Sequence, residues 1–220
     1  MKRIPMIGLI MSAVLFSSMS NAEGIGVGAK IGLLGFGVDV TKSFTPMING
    51  RIAFNTFSFD ASGTESDIDY DADLNLQTAG VLVDWHPFSG GFRTTAGVYI
   101  NNNELEMTAK SAVSYDIGGT TYTPAEIGNF GGTVDFNNTA PYLGIGWGNA
   151  VEKGQRLTFS FDLGVLFQGS PNVSFTASGG TLSSDPTLLA DLATEEAQLE
   201  DDLSDYDMYP VLSVGAAFQF

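Results

Sequence analysis

The chain has 220 residues, of which 44% are hydrophobic and 15% are charged, with 25 acidic against 9 basic side chains and a formal net charge of −16. Because a soluble domain usually has about 25% charged residues, this composition favours a sheet protein with one face against an apolar solvent. The lack of cysteine excludes disulfides and a thiol nucleophile, and the single histidine excludes the usual multi-histidine metal sites. The acidic excess, without a basic patch, excludes nucleic acid as a partner.

The first 22 residues form a predicted signal peptide. A basic start at Lys2-Arg3 precedes an apolar stretch over residues 4–16, and Ser20-Asn21-Ala22 fits the small-x-small cleavage pattern. The apolar stretch is too short for a membrane-spanning helix, which needs about 20 residues. We therefore expect export, removal of residues 1–22 and one folded domain over residues 23–220.

The remaining chain alternates apolar and polar residues in segments of roughly ten residues, the pattern of outer-membrane strands. In the clearest segment the apolar face consists of Leu157, Phe159, Phe161, Leu163, Val165 and Phe167. A soluble barrel would bury such a face, and the alternation alone does not separate the two arrangements. Because no long apolar run follows residue 22, the chain can enter a membrane only as a closed barrel. In chain order the pattern predicts strands over residues 47–59, 68–85, 92–108, 132–149, 155–169 and 207–220.

The connections fall into two classes that predict the number of strands. Short connections lie near 43–46, 86–91 and 150–154, and longer ones near 60–67, 109–131 and 170–206. Short periplasmic turns alternate with long extracellular loops, and two periplasmic termini require an even number of strands. Residues 24–42 are therefore predicted to form two short strands that turn at Gly32-Leu33-Leu34-Gly35. The predicted fold class is all-β, a transmembrane antiparallel up-and-down β-barrel of eight strands.

The last long connection is predicted to contain one short helix. Asp185 can cap it, Pro186 suits its first position, and leucines recur on one side at Leu188, Leu192, Leu199 and Leu203. The segment 185–207 has nine acidic residues and no lysine or arginine. We expect an acidic extracellular mouth, formed by Asp67, Asp69, Asp71, Asp73, Asp191, Glu195, Glu196, Glu200, Asp201 and Asp202.

The C-terminal strand is the most specific feature of the sequence. Its apolar face ends on the terminal aromatic residue and consists of Leu212, Val214, Ala216, Phe218 and Phe220. Together with the signal peptide, this ending identifies the apolar faces as lipid-facing. We expect it to be read by the barrel-assembly machinery.

Three stretches carry a family resemblance: TTYTPAEIG (120–128), APYLGIGWGNA (140–150) and FSFDLGVLFQGSP (159–171). They resemble CarO-type outer-membrane proteins, which also have an Ala-Pro-Tyr-Leu-Gly strand and a charged segment before the last strand. The resemblance covers most of residues 92–220, while the loop sequences and the Phe-ended last strand depart from that family. It implies an eight-stranded barrel linked to the entry of small, especially basic, amino acids.

The barrel interior is the first candidate site. The predicted inward-facing polar network consists of Asp39, Arg51, Asn55, Gln77, Arg93, Tyr99 and Asp162. Eight strands enclose a space just wide enough to be filled by side chains, so buried charges there must be paired. Arg51 with Asp39 or Asp162 would meet that need. The network is either a packed polar plug or a narrow, gated solute path.

The acidic mouth is the second candidate site. A dense acidic rim raises the local concentration of cations, so the leading hypothesis is a narrow passive channel for small, preferentially cationic solutes such as basic amino acids. The alternative is a non-conducting structural or adhesive barrel. In that case the acidic extracellular loops bind partners or divalent cations at the lipopolysaccharide surface.

The sequence offers little for catalysis. His86 lies at the periplasmic end, within a predicted aromatic girdle that consists of Phe44, Trp85, Phe88, Phe92, Trp147 and Tyr209. A hydrolytic barrel would need a serine, a histidine and an acid together near the outer leaflet, so we predict no enzyme, catalytic residue, metal site or cofactor. The expected partners are outer-membrane lipid, lipopolysaccharide, the assembly machinery and small cationic solutes, and the chain is expected to be a monomer.

Overall fold

The computed structural model describes residues 24–65 and 68–220, so the predicted signal peptide and Asp67 lie outside the described residues. Thirteen strands and two α-helices follow one another along this part of the chain. The strands are β1 (Ile25–Gly32), β2 (Gly35–Thr45), β3 (Ile48–Glu65), β4 (Ile68–Trp85), β5 (Phe92–Asn101), β6 (Glu104–Ala112), β7 (Tyr115–Ile117), β8 (Thr120–Tyr122), β9 (Gly128–Asp135), β10 (Thr139–Trp147), β11 (Leu157–Phe167), β12 (Asn172–Gly179) and β13 (Met208–Gln219). The helices are α1 (Pro124–Ile127) and α2 (Pro186–Asp202).

Eight of these strands close into an antiparallel barrel. The ring runs β1-β2-β3-β4-β5-β10-β11-β13, and β13 pairs back onto β1. Three wall strands are interrupted by a short break and continue beyond it: β6 continues β5, β9 continues β10, and β12 continues β11. Strand β4 therefore pairs with β5 on one side of the break and with β6 on the other. The predicted fold class and strand number are therefore confirmed.

The two N-terminal strands are also confirmed. Gly32 pairs with Gly35, so Leu33 and Leu34 form the turn between β1 and β2. Leu34 is buried in the barrel, whereas Leu33 is exposed. The two leucines suit the turn because one of them fills the top of the lumen.

The end with the short turns is called periplasmic and the opposite end extracellular, by the usual asymmetry of such barrels. On the extracellular side β6, β9 and β12 join the upper halves of β3 and β4 in a five-stranded sheet, here called the extracellular sheet. The predicted long loops are thus partly sheet: residues 60–65 belong to β3, and segment 170–206 contains β12 as well as α2.

Helix α2 begins as predicted and packs on the inner face of the extracellular sheet. Asp185 is the N-cap, its side chain accepts a hydrogen bond from the Thr187 amide at 2.8 Å, and Pro186 is the first helical residue. Leu188 and Leu192 are buried in an outer core with apolar residues of the β7–β8 hairpin and of α1. The carboxylate cap therefore predicted where the helix starts, and the leucine spacing predicted which of its faces is buried.

The outward face of the wall strands changes chemistry along their length. On β4, Val81, Val83 and Trp85 are outward and exposed, whereas the outward positions of its upper half are acidic or amide residues and Leu76 turns inward. The same change occurs between β10 and β9 and between β11 and β12. An apolar outer face is expected where the strand is surrounded by lipid. A polar outer face and an apolar inner face are expected where water lies outside the sheet and a helix packs against its inner side. The inversion marks the extracellular edge of the membrane-spanning belt.

Among the described residues, no helix is long and apolar enough to cross a membrane. The aromatic girdle is found mainly at the periplasmic end, where Phe44, Phe88 and Trp147 are exposed. Tyr209 was placed in this girdle wrongly. It pairs with Leu166 near the extracellular end, and its hydroxyl donates to the Leu33 carbonyl at 2.8 Å.

Candidate functional site: the barrel lumen

The lumen is closed at its periplasmic end by a histidine and two asparagines. His86 is 1% exposed, and its Nδ1 lies 2.9 Å from the Gly90 carbonyl oxygen. Since a carbonyl can only accept, Nδ1 donates and Nε2 accepts from Asn49 Nδ2 at 3.1 Å. Asn49 also donates to Asn149 at 3.0 Å. His86 therefore turns inward from the girdle, and both of its nitrogens are engaged in this closure.

Arg51 is the centre of a charged layer above that closure. Its guanidinium lies 2.9 Å from Asp84, 3.5 Å from Asp162 and 3.7 Å from Asp39, and the residue is 5% exposed. Thr95 donates a further hydrogen bond to Asp84 at 2.6 Å. Strand β3 thus supplies one cation to carboxylates from three other strands.

Two more cations complete the layer. Arg93 donates to Asp162 at 2.7 Å and to the Gly148 carbonyl, and Lys30 lies 2.9 Å from Asp39. This set is called the ionic layer and consists of Lys30, Asp39, Arg51, Asp84, Arg93 and Asp162. Its three cations balance its three carboxylates, as buried charges require.

A tyrosine layer lies above the ionic layer. The rings of Tyr99 and Tyr142 meet edge to face with centroids 5.7 Å apart, among buried apolar residues that include Leu82. Glycines on neighbouring strands make room: a Cβ at Gly80 would lie 2.5 Å from the Tyr99 ring, and one at Gly164 would meet the Tyr142 hydroxyl. The rings fill the lumen because the wall facing them carries no side chain at these points.

Amide side chains form the top of the lumen. Asn55 donates to Thr78 at 2.9 Å, and Gln168 donates to the Tyr206 carbonyl at 2.9 Å. Within the described residues, Gln168 Oε1 and Asn101 Oδ1 are buried without a hydrogen-bond partner. This level of the barrel is therefore polar, but two of its amide oxygens have no hydrogen-bond donor.

The space left in the lumen is small. One cavity of about 10 Å³ lies beside Tyr99 and Tyr142, and another of about 30 Å³ lies beside Asp84 and His86. A single water needs about 10–15 Å³ of such space. Arg51 lines both cavities, so its side chain separates them. The described barrel has water-sized gaps rather than an open passage.

Six of the seven predicted lumen residues point inward: Asp39, Arg51, Asn55, Arg93, Tyr99 and Asp162. Gln77 does not, because Leu76 and Thr78 occupy the inward positions and Gln77 is exposed. Sequence reasoning missed Lys30 and Asp84. The alternation of the strands could have identified both, because a residue next to a lipid-facing residue must point inward. Lys30 precedes the lipid-facing Ile31, and Asp84 follows the lipid-facing Val83.

The acids of β4 lie on the outer wall rather than around the lumen. Asp69, Asp71 and Asp73 are outward on the extracellular sheet and pair in register with polar residues of β3. Hydrogen bonds from Ser111 and Thr64 lower the pKa of Asp69. A shared hydrogen bond with Asp60 raises the pKa of Asp73. Within the described residues, no group of three or more potential ligand side chains is placed to hold a metal ion.

The acids of α2 serve mainly as hydrogen-bond acceptors for neighbouring strands. Glu196 accepts from the Phe175 amide at 2.6 Å and Glu200 from the Val173 amide at 3.0 Å, on the edge of β12. On the other side of the helix, Asp191 accepts from the Tyr122 hydroxyl at 2.6 Å, and Glu195 accepts from the Gly118 amide at 3.3 Å. Asp201 and Asp202 are exposed. The predicted acidic mouth is therefore divided between an outer wall and a helix that covers a sheet edge.

The predicted assembly residues of β13 lie on the lipid-facing side. Leu212, Val214 and Phe218 are exposed there, and Ala216 shares their face. The Phe220 amide donates to the Ile25 carbonyl at 3.1 Å, and its ring packs 5.2 Å from that of Phe218. Their recognition by assembly machinery stays a prediction.

No protein-family model matches the chain, and no curated protein matches it. Solved structures of the same fold exist. Acinetobacter baumannii CarO2 has a TM-score of 0.56 at 22% identity, with 89% of this chain and 98% of that chain covered. Acinetobacter baumannii CarO has a TM-score of 0.55 at 20% identity, with 90% and 98% covered. By fold, this chain is therefore a CarO-like eight-stranded transmembrane β-barrel.

Proposed function

We propose that the protein is an outer-membrane channel, closed in this structure, that admits small and preferentially cationic solutes such as basic amino acids when the ionic layer parts. The observation that carries the proposal is Arg51, which lies within 4 Å of three carboxylates and separates the two cavities of the lumen. Buried ion pairs are often no more stabilising than apolar side chains of similar volume. A charged filling therefore suits a barrel whose interior is wetted at some stage of its function.

The charge of the ionic layer supports the preference for cations. When the Arg51 side chain leaves its place, three carboxylates remain opposite two cations, so the opened layer is negative. The exposed acids of the extracellular sheet and α2 add a negative field on the side from which solute arrives. Cations are thereby attracted to the barrel and stabilised within it.

Solute flux into liposomes tests this function. Purified, refolded protein is compared with Arg51→Ala, for equally small cationic, neutral and anionic amino acids. Arg156→Ala is the matched control because Arg156 is exposed near a periplasmic turn. We expect faster entry of the cationic amino acid through Arg51→Ala, a preference that fades with added salt, and no change in the control. Equal entry of all three solutes would contradict the preference for cations.

A closed structural barrel is the second candidate, and the tyrosine layer favours it. Tyr99 and Tyr142 fill the lumen above the ionic layer, so displacement of Arg51 alone leaves a second barrier. In this case the extracellular acids bind partners or divalent cations at the lipopolysaccharide surface. Absence of flux through folded wild type and through folded Arg51→Ala would support this candidate over the channel.

The proposed setting is the outer membrane of a Gram-negative-type cell, reached after cleavage of residues 1–22 and assembly through the C-terminal strand. The proposed barrel is a monomer in contact with lipid and lipopolysaccharide. The in-register closure of β1 on β13, which ends with the Phe220 amide bonded to Ile25, supports a role of the last strand in sealing the barrel. Removal of Phe220 should slow assembly, measured as the heat-modifiable folded band after pulse labelling.

A further inference from the structure

The upper part of β3 forms an open edge of the extracellular sheet. Strand β2 pairs with β3 only as far as Thr56, whereas β4 pairs with it as far as Glu65. Among the described residues, β4 is the only strand that pairs with β3 above Thr56. Residues 58–62 are all exposed, on both faces of the strand. Residues 57–64 of β3 are called the open edge.

The direction of the free backbone groups follows from the register of β3 and β4. The Gln77 amide donates to the Asn103 side chain, and the Gln77 carbonyl accepts from the Asn102 amide, so both groups point away from β3. Gln77 pairs with Thr56, and this pair therefore exchanges no backbone hydrogen bond. Because an antiparallel ladder alternates and this one has no bulge, every second residue of the open edge directs its N–H and C=O away from β4: Ser58, Asp60, Ser62 and Thr64.

The opposite edge of the same sheet is covered by the chain itself. Glu196 and Glu200 of α2 accept hydrogen bonds from two backbone amides of β12. The open edge has no such cover among the described residues, and its sequence FSFDASGT contains neither the lysine nor the proline that commonly protects an edge strand. Such an edge can bind an added strand through main-chain hydrogen bonds. The open edge is therefore suited to an extended segment of polypeptide.

The outward side chains beside the open edge indicate a basic partner. Asp60, Asp73 and Glu106 pair in register on β3, β4 and β6, so three acids lie in one row. The row continues through Thr133 and Ser174 and contains no lysine or arginine. Like charges opposite each other destabilise a sheet, whereas opposite charges on neighbouring strands stabilise it. A basic residue of an added strand, opposite Asp60, would supply the cation that this row lacks.

The inward side chains of the open edge indicate an apolar complement. Ala53 and Asn55 are buried in the barrel, and the alternation of the strand places Phe57 and Phe59 on the same inner face. Phe59 is nevertheless 55% exposed, because nothing in the described chain covers it from the side of the open edge. On an added strand, the residues that flank the basic one lie beside Phe59 and Ala61, where β-branched apolar side chains pack well.

These features together describe one kind of occupant. We propose that the open edge binds an extended cationic segment of another polypeptide, with basic and apolar residues in alternation, as a sixth strand of the extracellular sheet. A second copy of this chain suits the edge less well, because the open edge has no basic residue and two copies would bring acid beside acid. Binding at this edge does not depend on conduction through the lumen.

A designed peptide, Lys-Val-Lys-Val-Lys-Val-Lys, serves as the probe. It is titrated onto the full-length mature protein in phosphatidylcholine nanodiscs, with empty nanodiscs as the blank, and binding is followed by fluorescence anisotropy of a C-terminal label. Ser62→Pro removes one N–H of the open edge and keeps the ladder to β4, and Ser62→Ala is its matched control. Asp60→Asn removes the outward charge, and Asp201→Asn is its control because Asp201 is exposed on α2. Two further peptides carry N-methyl groups on all lysines or on all valines.

We expect Ser62→Pro to weaken binding at least fivefold, as loss of one hydrogen bond predicts, while Ser62→Ala leaves it unchanged. Asp60→Asn should weaken binding about threefold at low salt, and Asp201→Asn should not. N-methylation of one alternate set should abolish binding and that of the other set should not, because only one set faces β3.

Other outcomes would overturn the proposal. These are no binding of the peptide, binding that Ser62→Pro leaves unchanged, and equal binding of the two methylated peptides, which indicates attraction by charge alone. A dimer of the protein that Ser62→Pro dissociates, measured by sedimentation, would assign the open edge to a second copy instead. Heat-modifiability confirms that each variant is folded.

Discussion

Replacement of Arg51 by methionine would remove the central cation of the ionic layer while keeping most of the side-chain volume. In the folded barrel Arg51 lies 2.9 Å from Asp84, and 3.5 and 3.7 Å from Asp162 and Asp39. Removal of one partner from a buried ion pair typically costs about 3–5 kcal/mol, because the remaining charge is left without compensation. We expect the free energy of unfolding to fall by that amount.

The geometry indicates which carboxylate carries most of this cost. Asp162 keeps Arg93 at 2.7 Å and Asp39 keeps Lys30 at 2.9 Å. For Asp84 the nearest remaining cation is Arg93, at 3.7 Å. The double substitution Arg51→Met with Asp84→Asn should therefore recover about 1–3 kcal/mol relative to the sum of the single substitutions.

The assay is urea unfolding of the barrel in lipid vesicles, followed by tryptophan fluorescence and by the heat-modifiable band. Arg156→Met is the control, since Arg156 is exposed and should change stability by less than about 0.5 kcal/mol. A loss of under about 1 kcal/mol in Arg51→Met, with no coupling to Asp84→Asn, would refute the reasoning. It would mean that water already solvates the carboxylates and that the ionic layer is not a dry closure.

Further predictions concern the extracellular part. Glu196→Ala should destabilise the extracellular sheet by about 1–2 kcal/mol, because the Phe175 amide on the edge strand loses its acceptor; limited proteolysis should show the change, and the exposed Asp201→Ala should not. Asp73→Asn and Asp69→Asn should have opposite effects at neutral pH, measured as urea midpoints over a pH series. The raised pKa of Asp73 means that its contribution is favourable in acid and lost as pH rises, so Asp73→Asn stabilises at neutral pH. The lowered pKa of Asp69 means that its contribution is present at neutral pH and lost in acid, so Asp69→Asn destabilises there. Midpoints that shift in the same direction for both would contradict this assignment.

Local chemistry was enough to predict much of the fold. The alternation in residues 157–168 predicted strand β11, and Asp185 with Pro186 predicted the start of α2. The even number of strands required a turn at Leu33 and Leu34, although two leucines are unusual in an exposed turn. These predictions succeeded because period-two patterning, helix capping and parity depend on neighbours in the chain.

The same local logic failed where the solvent changes along one strand. Gln77 was predicted to face the lumen because polar faces were taken as inward throughout. Above the lipid belt the outer solvent is water, so the outward face becomes polar and Leu74 and Leu76 turn inward toward the helix-covered side. Asp73, which was predicted to lie at the extracellular mouth, belongs to this outward polar face.

The sequence by itself determined which residues alternate, how many strands there are and which helix is capped. Only the tertiary structure decided which charges meet. Arg51 and Asp162 belong to strands that are not neighbours in the barrel, and their 3.5 Å separation depends on the register of every strand pair around the closed ring. Such contacts follow from closure of the barrel, which fixes the stagger of all the strands at once. No single segment of the sequence contains the information that determines this stagger.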